Sequence, residues 1–243
     1  MMRVPSSGSP GAFKSWLGRS ALGMALAVAA SAAALQPARA TTIVDPAGDF
    51  LATYTGPHNG DLDVLSASAV QNGTSVTLTG NLNGAIGTTS GSVYVWGVNR
   101  GAGTPLLTLG TPSVGAGVSF DAVAVLFPDL TGAVVTFAGG VASAPVPLAA
   151  GAVTASGSTI TGVVPFSMLP STGFAPANYL YNLWTRDGLA TNDQIADFAP
   201  NASSFAANVP EPAAWALMIL GFGMTGAVLR RRKAAGLAVA AFG

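Results

Sequence analysis

The sequence predicts an all-β fold, a two-sheet β-sandwich, on three observations. Short apolar or alternating runs recur about every 10–15 positions between residues 41 and 204, separated by turn-forming residues, which is the spacing of strands rather than helices. No window in that region keeps a helical period over 11 residues, apart from a weak one at 191–198. No fixed-period repeat is present, which disfavours a solenoid. A barrel is the alternative, because counting strands does not show whether a sheet closes.

Taken in order, the chain opens with an export signal. Residues 1–20 carry Arg3, Lys14 and Arg19 and no acid, Ala21 to Leu35 is an apolar run, and Ala38-Arg39-Ala40 places small residues where signal peptidase reads them. At ~1.5 Å per residue the run spans about 22 Å, short of a ~30 Å hydrocarbon core. Residues 1–40 therefore read as a signal peptide, cleaved before Thr41, and not as an anchor.

Residues 41–204 form the body, long enough for one domain with its own core. Leu62 to Val70 is the first strand. Ser75 to Thr79 alternates behind an Asn72-Gly73 turn signal and reads as half-buried. Val93 to Val98, Ala122 to Phe127 and Tyr179 to Trp184 are apolar on both faces and rich in β-branched or aromatic residues, as central strands are. Ala133 to Phe137, Ala152 to Ala155 and Thr159 to Val164 bring the set to about eight. Pro165 to Pro170 admits one short helical turn, since its two prolines bar anything longer.

Behind a linker at 205–208 stands Val209-Pro210-Glu211-Pro212, then an apolar run at 213–229, then Arg230-Arg231-Arg232-Lys233. The run makes about 25 Å of helix, enough for a thin bilayer, and the basic cluster keeps its end in the cytoplasm. Residues 234–243 are then a cytoplasmic tail and the body faces outwards. Gly221 to Gly226 fits G-x-G-x-x-G, but that pattern needs a preceding strand and a βαβ unit. Inside an apolar span its small residues read as a helix-packing face.

The segment Val209 to Lys233, with Trp215-Ala216 and Gly221-Phe222-Gly223 inside its helix, resembles the PEP-CTERM sorting signal of Gram-negative bacteria. The resemblance implies recognition by an exosortase, cleavage near Pro210-Glu211-Pro212, and passage through an inner-membrane intermediate to the cell surface or matrix. The body, from Asp45-Pro46-Ala47-Gly48-Asp49 to Ile195-Ala196-Asp197-Phe198, resembles exported bacterial domains that often precede this tail. Those in turn are similar to carbohydrate-binding and DOMON-like sandwiches, an analogy of fold that raises a binding module without naming its ligand.

Charge is segregated along the chain. The body holds Arg100 and Arg186 against nine aspartates, a net −7, which excludes nucleic acid as a natural partner. The absence of Cys excludes disulfides, thiol chemistry and Cys-zinc sites.

Asp45, Asp49, Asp61 and Asp63 crowd one Gly-rich stretch and are candidate calcium ligands, with Asp193 or Asp197 joining if the chain returns there. Asp61 and Asp63 would share one side of an extended segment. A solvated acidic loop is the plainer reading and stands ahead of the metal site. His58, the single histidine, reads as a solvent-facing loop residue, with no Gly-x-Ser-x-Gly elbow to accompany it. Trp96, Trp184, Tyr94, Tyr179 and Tyr181 could stack on sugars, but their strands are apolar enough to place them in the core. Asn72-Gly73-Thr74 and Asn201-Ala202-Ser203 are chance matches to a glycosylation pattern.

No catalytic residue is assigned. The expected function is a non-enzymatic surface or matrix protein, processed by signal peptidase and exosortase and associated with exopolysaccharide. The alternative is a secreted hydrolase acting on glycans through Asp pairs.

Overall fold

A computed structural model describes residues 39–207. The leader with Ala38, the sorting segment with Pro210, Glu211, Pro212, Arg230, Arg231, Arg232 and Lys233, its apolar run at 213–229 and the tail at 234–243 lie outside the described residues. Within them the chain is all-β, thirteen strands in two antiparallel sheets joined by loops and short 3-10 turns. Among the described residues no helix is long and apolar enough to cross a membrane.

The first sheet has the order β1-β2-β3-β10-β9, formed by β1 (Arg39–Val44), β2 (Val64–Gln71), β3 (Ser75–Leu82), β9 (Val153–Ser156) and β10 (Thr159–Pro165). The second has β12 (Ile195–Ala199), β11 (Leu180–Arg186), β4 (Val93–Asn99), β5 (Ala122–Leu126), β6 (Gly132–Ala138) and β7 (Val141–Ala142) in that order. β8 (Val146–Pro147) pairs with β6, and β13 (Phe205–Ala206) pairs with the start of β11.

The two sheets share one core. Ala67, Ala69, Leu78, Ile160 and Val164 of the first pack with Tyr94, Trp96, Ala124, Leu126, Tyr181 and Leu183 of the second. Small residues let the layers approach: a Cβ built on Gly80 would lie 2.8 Å from Leu183 Cδ2, and one on Gly162 2.7 Å from Leu126 Cδ2.

The outer face of the second sheet is also apolar. Val93, Val95, Val123, Val125, Trp184, Ile195 and Phe198 form a second cluster, roofed by Val118 and Phe120 and by Leu106, Leu107 and Val114 of the long loop between β4 and β5. This roof is why β4, β5 and β11 read as apolar on both faces: they are central strands buried from two sides.

Three segments differ from expectation. Thr191 to Phe198 is not a helix; a 3-10 turn at Asn192–Gln194, with a Thr191/Gln194 capping box, gives way to β12. Pairing with β11 and burial on both faces outweigh the weak local helical pattern. Leu62 closes a 3-10 turn at Gly60–Leu62 rather than opening a strand. Phe205 and Ala207, in the segment read as linker, are buried in the shared core. β1 is a strand beyond the expected set: it straddles the expected cleavage point, and Thr41-Thr42-Ile43-Val44 supplies its β-branched run.

The chain enters and leaves at one end of the body. Arg39 pairs with Gln71, whose side-chain amide donates to the Tyr181 hydroxyl (3.2 Å), and Tyr181 pairs with Phe205. Asp45 follows the other end of β1, six residues and about 20 Å away at ~3.3 Å per residue.

Gly97 of β4 lies under the Trp184 indole, where an added Cβ would meet Cζ3 at 2.6 Å. The indole is wedged between Phe120 (ring centroids 5.2 Å) and Phe198 (6.0 Å), so it has little room to yield. Gly97→Ala is expected to lower stability by about 1–3 kcal/mol, the range of core overpacking, in denaturant unfolding followed by tryptophan fluorescence.

Candidate functional site

The acidic segment 45–63 wraps the open side of β12. Leu51 N–H donates to Ala196 O (2.8 Å) and Thr55 N–H to Asp193 O (3.2 Å), so this loop satisfies edge groups that β11 does not reach. At its start, Asp45 N–H donates to Leu65 O (3.0 Å).

The four aspartates separate into two pairs with different surroundings. Asp61 is fully buried and accepts from Thr89 N–H (2.8 Å) and the Thr89 hydroxyl (2.6 Å), which pins the loop before β4. Asp63 accepts from Gly48 N–H at both oxygens (3.0 Å each) and from Asn83 Nδ2 (2.9 Å). Gly48 has φ +80, a left-handed conformation open to glycine, and this turns its N–H towards Asp63. Asp61 and Asp63 therefore do not line one side of an extended segment. From one 3-10 turn Asp61 reaches Thr89 while Asp63 reaches Gly48 and Asn83, so each organises a different loop.

Asp45 and Asp49 face a different partner. Their carboxylates meet that of Asp197, with one oxygen from each of the three lying within 4.8 Å of the others. Asp197 is fully buried on β12 and accepts from Val64 N–H (2.8 Å) and Phe198 N–H (2.7 Å). Asp49 Oδ2 accepts from Asn201 Nδ2 (2.6 Å). Asp45 Oδ2 and Asp49 Oδ1 are buried without a hydrogen-bond partner. Burial, with Asp49 and then Asp63 adding repulsion, pushes the Asp45 carboxyl up to about 7. Burial, with Asp45 and Asp49 nearby, pushes Asp197 up to about 8 against the pull of its backbone donors. Asp193 is not in this group.

Asp197 was named in the sequence as a ligand that joins if the chain returns to the acidic stretch, and β12 brings it there. Asn201 was not. Its side chain orients Asp49 across the gap from the loop after β12, while its sequence context suggested only a glycosylation pattern. Asn72 is likewise a turn residue: its Oδ1 accepts from Ser75 N–H (2.9 Å) and the Ser75 hydroxyl (2.9 Å).

The remaining candidates are structural or peripheral. Trp96, Trp184, Tyr94, Tyr179 and Tyr181 are all at most 2% exposed. His58 is exposed and stacks on Phe50 (centroids 4.3 Å) and Tyr54 (5.7 Å). Both Arg residues between positions 42 and 207 are buried. Arg100 pairs with Asp121 (3.1 Å) and donates to Pro170 O (2.9 Å), while Arg186 donates to Thr191 O (2.8 Å). The surface over those positions thus presents carboxylates with no exposed Lys or Arg among them.

Because Asp61 holds the 85–92 loop by charge-assisted hydrogen bonds, Asp61→Ala is expected to cost about 2–3 kcal/mol of stability, with or without divalent cations. A denaturant midpoint equal to wild type would show that Asp61 is not an anchor.

The tail completes the picture from outside the body. Residues 208–233 match the family model described as the PEP-CTERM protein-sorting motif. No curated protein and no solved structure matches the chain. The match coincides with Pro210-Glu211-Pro212, the apolar run and the arginine cluster taken in order. The chain is an exported protein that carries a PEP-CTERM sorting motif and is an exosortase substrate.

Proposed function

We propose that this chain delivers a non-enzymatic body to the cell surface or extracellular matrix, where it associates with exopolysaccharide. Delivery runs through an inner-membrane intermediate held by the helix at 213–229, which the exosortase resolves. The single observation that carries the reading is the sorting motif at 208–233, which follows the body directly in sequence.

The geometry supports this order of events. Both chain ends leave from one end of the body, so a precursor held by its tail stands with that end at the bilayer and the acidic cluster directed away from it. β13 and the buried Ala207 lie within a few residues of Pro210-Glu211-Pro212 in sequence. A rigid Pro-Glu-Pro close to the membrane surface offers an enzyme a fixed backbone shape and one charge.

The non-enzymatic reading is supported by the engagement of the aspartates. Asp61 and Asp63, the pair a glycan hydrolase would use, accept hydrogen bonds on separate loops instead of facing each other across a cleft. A surface carrying carboxylates without neighbouring cations suits neutral polysaccharide, or an acidic one bridged by divalent cations.

Replacing Pro210-Glu211-Pro212 with three alanines, in a host that has an exosortase, should leave insertion intact and trap a longer, membrane-bound species with its body outside. If the replaced and wild-type proteins fractionate identically at full tail-containing mass, the tail is a permanent anchor. Retention of the secreted protein on the producing strain's matrix tests the polysaccharide association. Absence of retention overturns it, and glycan cleavage that is lost in Asp61→Ala, Asp63→Ala would replace it with the hydrolase reading.

A further inference from the structure

The geometry points to a single calcium site formed by Asp45, Asp49 and Asp197, which clamps the loop after β1 to the edge strand β12. Three observations carry it. One oxygen from each carboxylate lies within 4.8 Å of the other two. Oxygens bound to one calcium at 2.3–2.6 Å are up to about 5 Å apart, so the three fit around one ion. Asp45 is 6% exposed, and its Oδ2 has no hydrogen-bond partner; Asp49 Oδ1 is in the same condition. A buried carboxylate oxygen without a donor is costly, and a hard cation satisfies it.

The third observation is the missing counter-charge. Among the described residues the one ion pair is Arg100 with Asp121, and the other buried guanidinium, Arg186, donates to Thr191 O. Neither is paired with the three carboxylates. With all three carboxyls ionised, a divalent ion would bring the cluster from −3 to −1.

The ligands are already oriented by the fold. Asp197 is fixed by two backbone N–H donors, each of which leaves a lone pair on its oxygen. Asn201 holds Asp49, and the Asp45 N–H is bonded to Leu65 O. Three carboxylates with carbonyl or water oxygens filling the remaining positions suit calcium, which accepts six to eight oxygens in flexible geometry, better than magnesium with its strict octahedron. The affinity expected is that of extracellular modules, ~10⁻⁴–10⁻³ M. Filling then follows export, where the ion joins the first sheet's leading loop to the last long strand of the second.

The test uses the full-length chain in detergent, stripped with chelator and titrated with calcium chloride. One ion per chain should bind, and the melting temperature should rise about 3–6 °C at tenfold excess over Kd. Asp45→Asn should abolish the rise while melting in chelator at or above the wild-type temperature, because it removes a buried carboxyl that faces two others. Asp129→Asn, on an exposed turn, should keep the full rise. No binding heat and no rise in wild type overturn the site, as does an Asp45→Asn variant that responds like wild type. An equal rise with magnesium overturns the assignment to calcium. Should Asp45→Asn fail to fold, wild-type stoichiometry decides between one ion and none.

Discussion

The architecture turns on the buried carboxylate of Asp197. It lies on an edge strand of one sheet, yet its oxygens accept N–H groups from that strand and from Val64 of the other sheet, so one side chain ties the two layers together. Burying a carboxylate is unfavourable unless donors or counter-charges surround it. The fold supplies two backbone donors and then brings Asp45 and Asp49 to the same place, which adds repulsion. The loop 45–63 is consequently held under electrostatic tension beside a strand edge it also protects.

Away from that cluster the body is held by apolar packing and by polar contacts between loops. The second sheet is covered on both faces, by the first sheet and by the β4–β5 loop. Arg100 closes the foot of this loop: its backbone and side chain both donate to Asp121, while Asp121 also accepts from Ala102 N–H (3.2 Å) and the Thr172 hydroxyl. The Thr185 hydroxyl donates to Leu62 O across the sheets in the same fashion. These polar groups act as fasteners between loops, in contrast to Asp45 Oδ2 and Asp49 Oδ1, which are buried without a partner.

The placement of the ends gives the body a direction. The first strand, β1, and the last, β13, are joined through Gln71 and Tyr181. The acidic cluster stands at the opposite end of β1 from these two strands.

Much of this was legible in the residues. Strand periodicity marked β3, β4, β5, β10 and β11 to within two residues at most ends, because alternation and β-branched content are local properties. The sorting motif around Pro210-Glu211-Pro212 was legible because the enzyme that processes it reads linear sequence. What the chain order could not decide was which aspartates meet. Asp61 and Asp63 are adjacent in sequence and diverge in space, since from one 3-10 turn they reach different loops. Asp45 and Asp197 are distant in sequence and converge, since β12 pairs with β11 and carries its one charge back to the first sheet. Sequence by itself determined the class of fold and the destination of the protein, both set by local pattern. The tertiary structure alone decided the site, because carboxylates are gathered by long-range strand pairing and their repulsion depends on distance through space, not along the chain.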